Sequence, residues 1–145
     1  DALAEETDFF SVGTNDLVQY ALGADRTNPD VAYLSDALTP AVLRMLESVT
    51  RVSRERNQPL ALCGDMAADA FALPIVVGLG FRSLSAPAAA LPLIREVLSH
   101  VDSREARTAA HKALACATAR EVRSLVHEQF RATLGEIWDE AGVKA

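Results

Sequence analysis

Three short clusters in this 145-residue chain combine residue types able to do chemistry. The first is Gly13-Thr14-Asn15-Asp16, with Arg26 ten residues beyond Asp16. Its logic suits a phosphorylated ligand. A glycine lets main-chain N–H groups approach an anion, and a helix start points such donors outward. Asn15 adds an amide, Asp16 a hard oxygen for magnesium, and Arg26 a planar fork for phosphate or carboxylate. The second cluster is Cys63-Gly64-Asp65, with Asp69 a helical turn later. A thiol placed there can give up a proton or attack. The third is Ser83, Ser85 and Ala86. Taken alone, Gly13–Asp16 reads more simply as a turn and helix cap, and Cys63 as a small buried hydrophobe.

The elements that position these residues alternate. Phe9–Val12 is an apolar, β-branched run ended by Gly13, which predicts a buried strand entering a loop. Asn15–Leu22 predicts a short helix, and Gly23–Pro29 a loop. Thr39-Pro40 opens a helix whose Val42, Leu43, Leu46, Val49 and Val52 recur at helical spacing, with Asn57 closing it. Pro59–Leu62 is a second strand, and a helix is expected from about Ala67 to Gly78. Arg82–Ser85 is a weak third strand, and Leu91–Val101 a further helix. Strand–helix alternation implies an α/β fold with a parallel sheet. Three βα units fit part of a (β/α)₈ barrel, which takes about 250 residues, or a small open doubly wound sheet. Periodicity does not separate the two. Beyond Asp102 two helices are expected, Ser103–Ala115 capped by Ser103, and Thr118–Leu134 capped by Thr118 with Glu121 at capping-box spacing. Residues 135–145 are expected to hold a weak turn around Trp138 and a frayed tail. Asp1–Thr7 reads as the tail of a helix already under way, so a fragment of a longer chain is expected.

Composition narrows the function classes. A net charge of −6 argues against a nucleic-acid binder, whose footprint is basic. Cys63 and Cys116 are too far apart and too few to suggest a disulfide framework or a zinc site, which suits a reduced, cytoplasmic protein. No apolar run reaches the ~18 residues of a membrane span. His100, His111 and His127 lie on polar helical segments without ligand-spaced partners and read as solvated. The Arg- and Glu-rich run from Arg104 to Arg131 reads as a solvated helix face.

The segment Asp8–Tyr20 with Asp25-Arg26 is very similar to the signature of enzyme I-type phosphoenolpyruvate–protein phosphotransferases. So is Leu62-Cys63-Gly64-Asp65-Met66-Ala67-Ala68-Asp69, at that family's separation. Thr39–Leu43 and Leu84–Ala86 match as well, and the resemblance runs to about Phe130. It implies the last three βα units of a (β/α)₈ TIM barrel followed by C-terminal helices. Residues 1–134 would be the C-terminal part of the phosphoenolpyruvate-binding domain, and 135–145 its tail. It implies that Asn15, Asp16 and Arg26 bind phosphoenolpyruvate, that Asp16 ligates Mg²⁺, and that Cys63 protonates the enolate carbon as pyruvate forms. It implies that in the parent a histidine on a separate N-terminal domain takes the phosphoryl group and passes it to HPr or an NPr-type carrier. A homodimer is implied too. The family's Glu and Gly are replaced here by Asp65 and Ala68.

The resemblance also implies what lies elsewhere. A second metal carboxylate, several substrate arginines and the phosphorylated histidine are expected upstream of Asp1, so the fragment alone should be inactive. Two other readings stand beside it. One is a fragment of the related pyruvate phosphate dikinase or phosphoenolpyruvate synthase. The other is a non-catalytic dimerisation module.

Overall fold

The computed structural model describes residues 1–143. A short helix α1 (Ala2–Glu5) precedes strand β1 (Phe10–Gly13) and helix α2 (Thr14–Leu22). Helix α3 (Pro40–Glu55) leads to β2 (Leu60–Cys63). Helices α4 (Asp65–Ala68) and α5 (Leu73–Leu79) precede β3 (Ser83–Ser85). Helices α6 (Leu91–His100), α7 (Ser103–Ala115) and α8 (Ala119–Glu140) complete the fold. The three strands form one parallel sheet in the order β1-β2-β3. The α/β class and the alternation expected from the sequence are both present.

Because side chains alternate across a strand, the sheet has two unlike faces. Val12, Leu62 and Leu84 point to the side where the helices pack, and Leu62 is fully buried. Ser11, Gly13, Ala61, Cys63, Ser83 and Ser85 occupy the other side, where Ser11, Gly13, Ser83 and Ser85 are exposed. The buried strand expected at Phe9–Val12 is covered on one side only, and Phe9 itself is 64% exposed.

The helices supply most of the core. Helix α3 buries Val42, Leu43, Leu46 and Val52, one stripe at 3.6-residue spacing, and Pro40 at its first turn fits because that N–H has no helical partner. Helices α5 and α7 approach so closely that a Cβ on Gly78 would collide with the main-chain carbonyl of Ala106. Small residues Ala106, Ala109, Ala110 and Ala113 make that approach possible.

Three further expectations are corrected. The single helix expected over 67–78 is broken at Asp69, whose backbone is extended and whose Oδ1 accepts from the Phe71 N–H at 2.9 Å. Local capping competes with helix continuation there, and Pro74 suits the first turn of the new helix. The cap of α7 is Asp102 rather than Ser103, with its Oδ1 accepting from the N–H groups of Arg104 and Glu105 at 2.9 and 3.0 Å. Helix α8 does not end near Leu134 but continues through Gly135 to Glu140. Tertiary burial drives this extension. Trp138 is 2% exposed, its ring lies 4.8 Å from that of Phe71, and its indole N–H donates to Ala70 O. The Thr118 cap is present as expected, its Oγ1 accepting from the Glu121 N–H.

Candidate functional site

Parallel strand registration sets the site. Gly13 pairs with Cys63, and Cys63 with Ser85, so the ends of all three strands form one row. The three chemical clusters of the sequence thus converge at the C-terminal edge of the sheet, where α/β folds place functional groups.

The loops beyond β1 and β2 interlock. Asn15 Oδ1 accepts from the Asp65 N–H at 2.7 Å, and the Thr14 hydroxyl donates to Cys63 O at 2.9 Å. Both bonds need a bare backbone at residue 64. Gly64 has φ +96°, and a Cβ there would lie 2.6 Å from both Asn15 Oδ1 and Thr14 Oγ1. The Asn15 amide is thereby oriented: its oxygen is occupied by the chain, which leaves its NH₂ group to donate elsewhere. Helix α2 starts at Gly13 with no side-chain cap, so its first N–H groups are left for another acceptor.

Arg26 joins this arrangement through a loop. The Asp25 carboxyl is held below its ordinary pKa by hydrogen bonds from the Thr27 N–H and hydroxyl, both 2.8 Å, which fixes the turn around Arg26. Further along, Asp36 receives a two-pronged bond from Arg123 of α8, at 2.8 and 3.2 Å, tying the loop to the C-terminal helix. Asn15 and Arg26 line one cleft of about 110 Å³ with Thr14, Gln19, Ser35 and Asp65. Gln19 and Ser35 were not singled out from the sequence. Gln19 was readable in principle, one helical turn from Asn15 on the same face.

Cys63 and Asp16 stand outside that cleft lining. The Cys63 side chain is half-buried on the open face of the sheet, with Sγ 3.5 Å from Val12 O and 3.9 Å from Ser11 Oγ. Asp16 is exposed in the first turn of α2. Among the described residues no group of three or more His, Cys, Asp or Glu side chains is arranged to hold a metal ion. A single exposed carboxylate still fits magnesium, which keeps several waters and commonly takes one or two carboxylates plus substrate oxygens. Cys116, at the end of α7, has its thiol pKa raised by burial and by the nearby Glu121, which suits an unreactive side chain.

Residues 1–103 match the family described as PEP-utilising enzyme, PEP-binding domain. The chain belongs to this family. It is 39% identical over 131 residues to the phosphoenolpyruvate-protein phosphotransferase of Bacillus subtilis (strain 168), covering 90% of this chain and 23% of that protein. It is 41% identical over 133 residues to multiphosphoryl transfer protein 2 of Escherichia coli (strain K12), covering 92% of this chain and 16% of that protein. A third relative, the phosphoenolpyruvate-dependent phosphotransferase system protein of Salmonella typhimurium, is 42% identical over 124 residues. The chain thus spans less than a quarter of the length of these relatives.

Proposed function

We propose that this chain is the C-terminal part of the phosphoenolpyruvate-binding barrel of an enzyme I-type phosphotransferase. The observation that carries the proposal is the single row of Gly13, Cys63 and Ser85, with Asn15 bridging the first two loops. A second feature supports the barrel. Parallel sheets are ordinarily covered on both faces, whereas one face here bears only small side chains and is largely open. Such a face suits the interior of a barrel closed by further strands. In that frame residues 1–134 belong to the barrel domain, and 135–145 form its tail, whose first turns are docked by Trp138.

This reading gives each residue of the site a role. The Asn15 NH₂ group, the first N–H groups of α2 and the Arg26 guanidinium would hold the phosphoryl and carboxylate groups of phosphoenolpyruvate. Asp16 would be one oxygen ligand to Mg²⁺, which when bound would neutralise charge on the phosphate. As the P–O bond to the enolate breaks and the phosphoryl group passes to a histidine of the parent protein, the enolate carbon needs a proton. The Cys63 thiol, on the open face, would give it, leaving a thiolate to be reprotonated from solvent. The phosphohistidine would then donate to HPr or an NPr-type carrier, in a cytoplasmic, homodimeric protein of the sugar-transport or a related phosphotransferase system. Among the described residues no helix is long and apolar enough to cross a membrane.

The test is pyruvate release by the full-length parent in phosphoenolpyruvate and Mg²⁺. Cys63→Ser should lower turnover by about two orders of magnitude or more, and near-normal turnover would remove Cys63 from the proton-transfer role. The 145-residue chain alone should release no pyruvate; turnover by it would contradict a division of the site between this chain and the rest of the parent. Sedimentation tests the homodimer, and a clean monomer of the parent at high concentration would count against it.

A further inference from the structure

A cluster of positive charge lies at the other end of the sheet. A cavity of about 350 Å³ opens between the ends of α3 and α5 and the exposed face of α7. Four cationic or cationisable side chains line it: Arg54 from the last turn of α3, Arg82 just before β3, and Arg107 and His111 one turn apart on α7. Glu47 is the only carboxylate on its wall. Three guanidinium groups against one carboxylate leave two net positive charges with His111 neutral. The chain as a whole carries −6, so general basicity does not account for the cluster.

The arrangement has the marks of a site. Arg82 is fixed by its own backbone, since Nη1 donates to Val77 O at 2.8 Å and to Phe81 O at 2.7 Å. Those bonds engage one nitrogen of the fork and leave Nε and Nη2 for another acceptor. Arg54 and Arg107 make no ion pair among the described residues. Cations drawn from three separate elements repel one another around a concave space, and an anion placed there relieves that repulsion.

We propose that this cavity binds a small phosphorylated molecule carrying two or more negative charges. Arg82 is its pre-positioned fork, and Arg54, Arg107 and His111 close on it from either side. The site lies away from the cleft of Asn15 and Arg26, at the N-terminal rather than the C-terminal ends of the strands, and does not depend on the roles proposed there.

Calorimetric titration of the 145-residue chain with inorganic pyrophosphate at low salt tests the inference. Saturable binding is expected with Kd of about 1 mM or tighter, weakening as sodium chloride is added. Arg54→Ala combined with Arg107→Ala should weaken it at least about tenfold. Both side chains are exposed, so the fold should be retained, which far-UV circular dichroism checks. Should that pair fail to fold, Arg54→Gln with Arg107→Gln makes the same charge change with more of each side chain kept. No saturable binding, equal binding by the double variant, or binding abolished by Arg26→Ala would each overturn the proposal.

Discussion

Leu62 and Cys63 are neighbours in one strand, yet they lie on faces with different tasks. Leu62 is fully buried against the helices, with Met66 and Phe71 in the same core. Cys63 faces the open side, beside Ser11 and Val12 O. One face is held by volume and tolerates few changes of shape. The other carries small side chains, several of them exposed, that stand outside the packed core. The difference teaches that one strand separates packing from exposed functional groups, one residue apart.

The largest effect should come from the packed side. Trp138→Ala removes a buried ring and its bond to Ala70 O, and should cost about 3–5 kcal/mol in urea unfolding. Leu62→Ala should cost about 2–5 kcal/mol by the same measure. Next comes the junction of the two loops. Gly64→Ala forces a Cβ against Asn15 and Thr14 at positive φ, and should cost about 1–3 kcal/mol. It should also shift the Asn15 side-chain amide resonances, since the Asp65 N–H can no longer sit where it does. Cys63→Ser should change stability by about 1 kcal/mol or less. A loss as large as that of Leu62→Ala would erase the contrast between the faces.

The smallest effect concerns pH and lies away from both faces. Asp102 is held below the ordinary carboxylate pKa by the N–H groups of Glu105 and Arg104. Its folded pKa is thus lower than its unfolded one, so its contribution is present above the unfolded value and is lost as pH falls through the folded value. Below about pH 4, wild type should therefore lose more stability than Asp102→Asn, and thermal unfolding across that range would show it. Equal slopes would mean that the cap does not titrate with folding.

Much of this was legible in the sequence because local rules governed it. Helical spacing in α3, the Thr39-Pro40 start and the Thr118 cap each depend on residues within a turn or two of one another. The family signature around Asp8–Tyr20 and Leu62–Asp69 was legible for the same reason. Less legible were features decided by distant partners. Gly135 would ordinarily weaken a helix, but burial of Trp138 against Phe71 carries α8 past it. Asp102 and Ser103 are both good caps, and only the backbone geometry chose between them.

The sequence by itself determined the α/β alternation, the family, and the chemistry available at Asn15, Asp16, Arg26 and Cys63. Tertiary structure alone decided how those groups are disposed. Parallel pairing set Gly13, Cys63 and Ser85 in one row, because hydrogen-bond register is a relation between strands distant in the chain and leaves no local trace. It also turned the Asn15 oxygen to the Asp65 N–H, placed Arg26 across the same cleft, and gathered Arg54, Arg82 and Arg107 at the opposite end. Spacing along a chain cannot report such convergence, since it is fixed only when the helices bury their shared apolar faces.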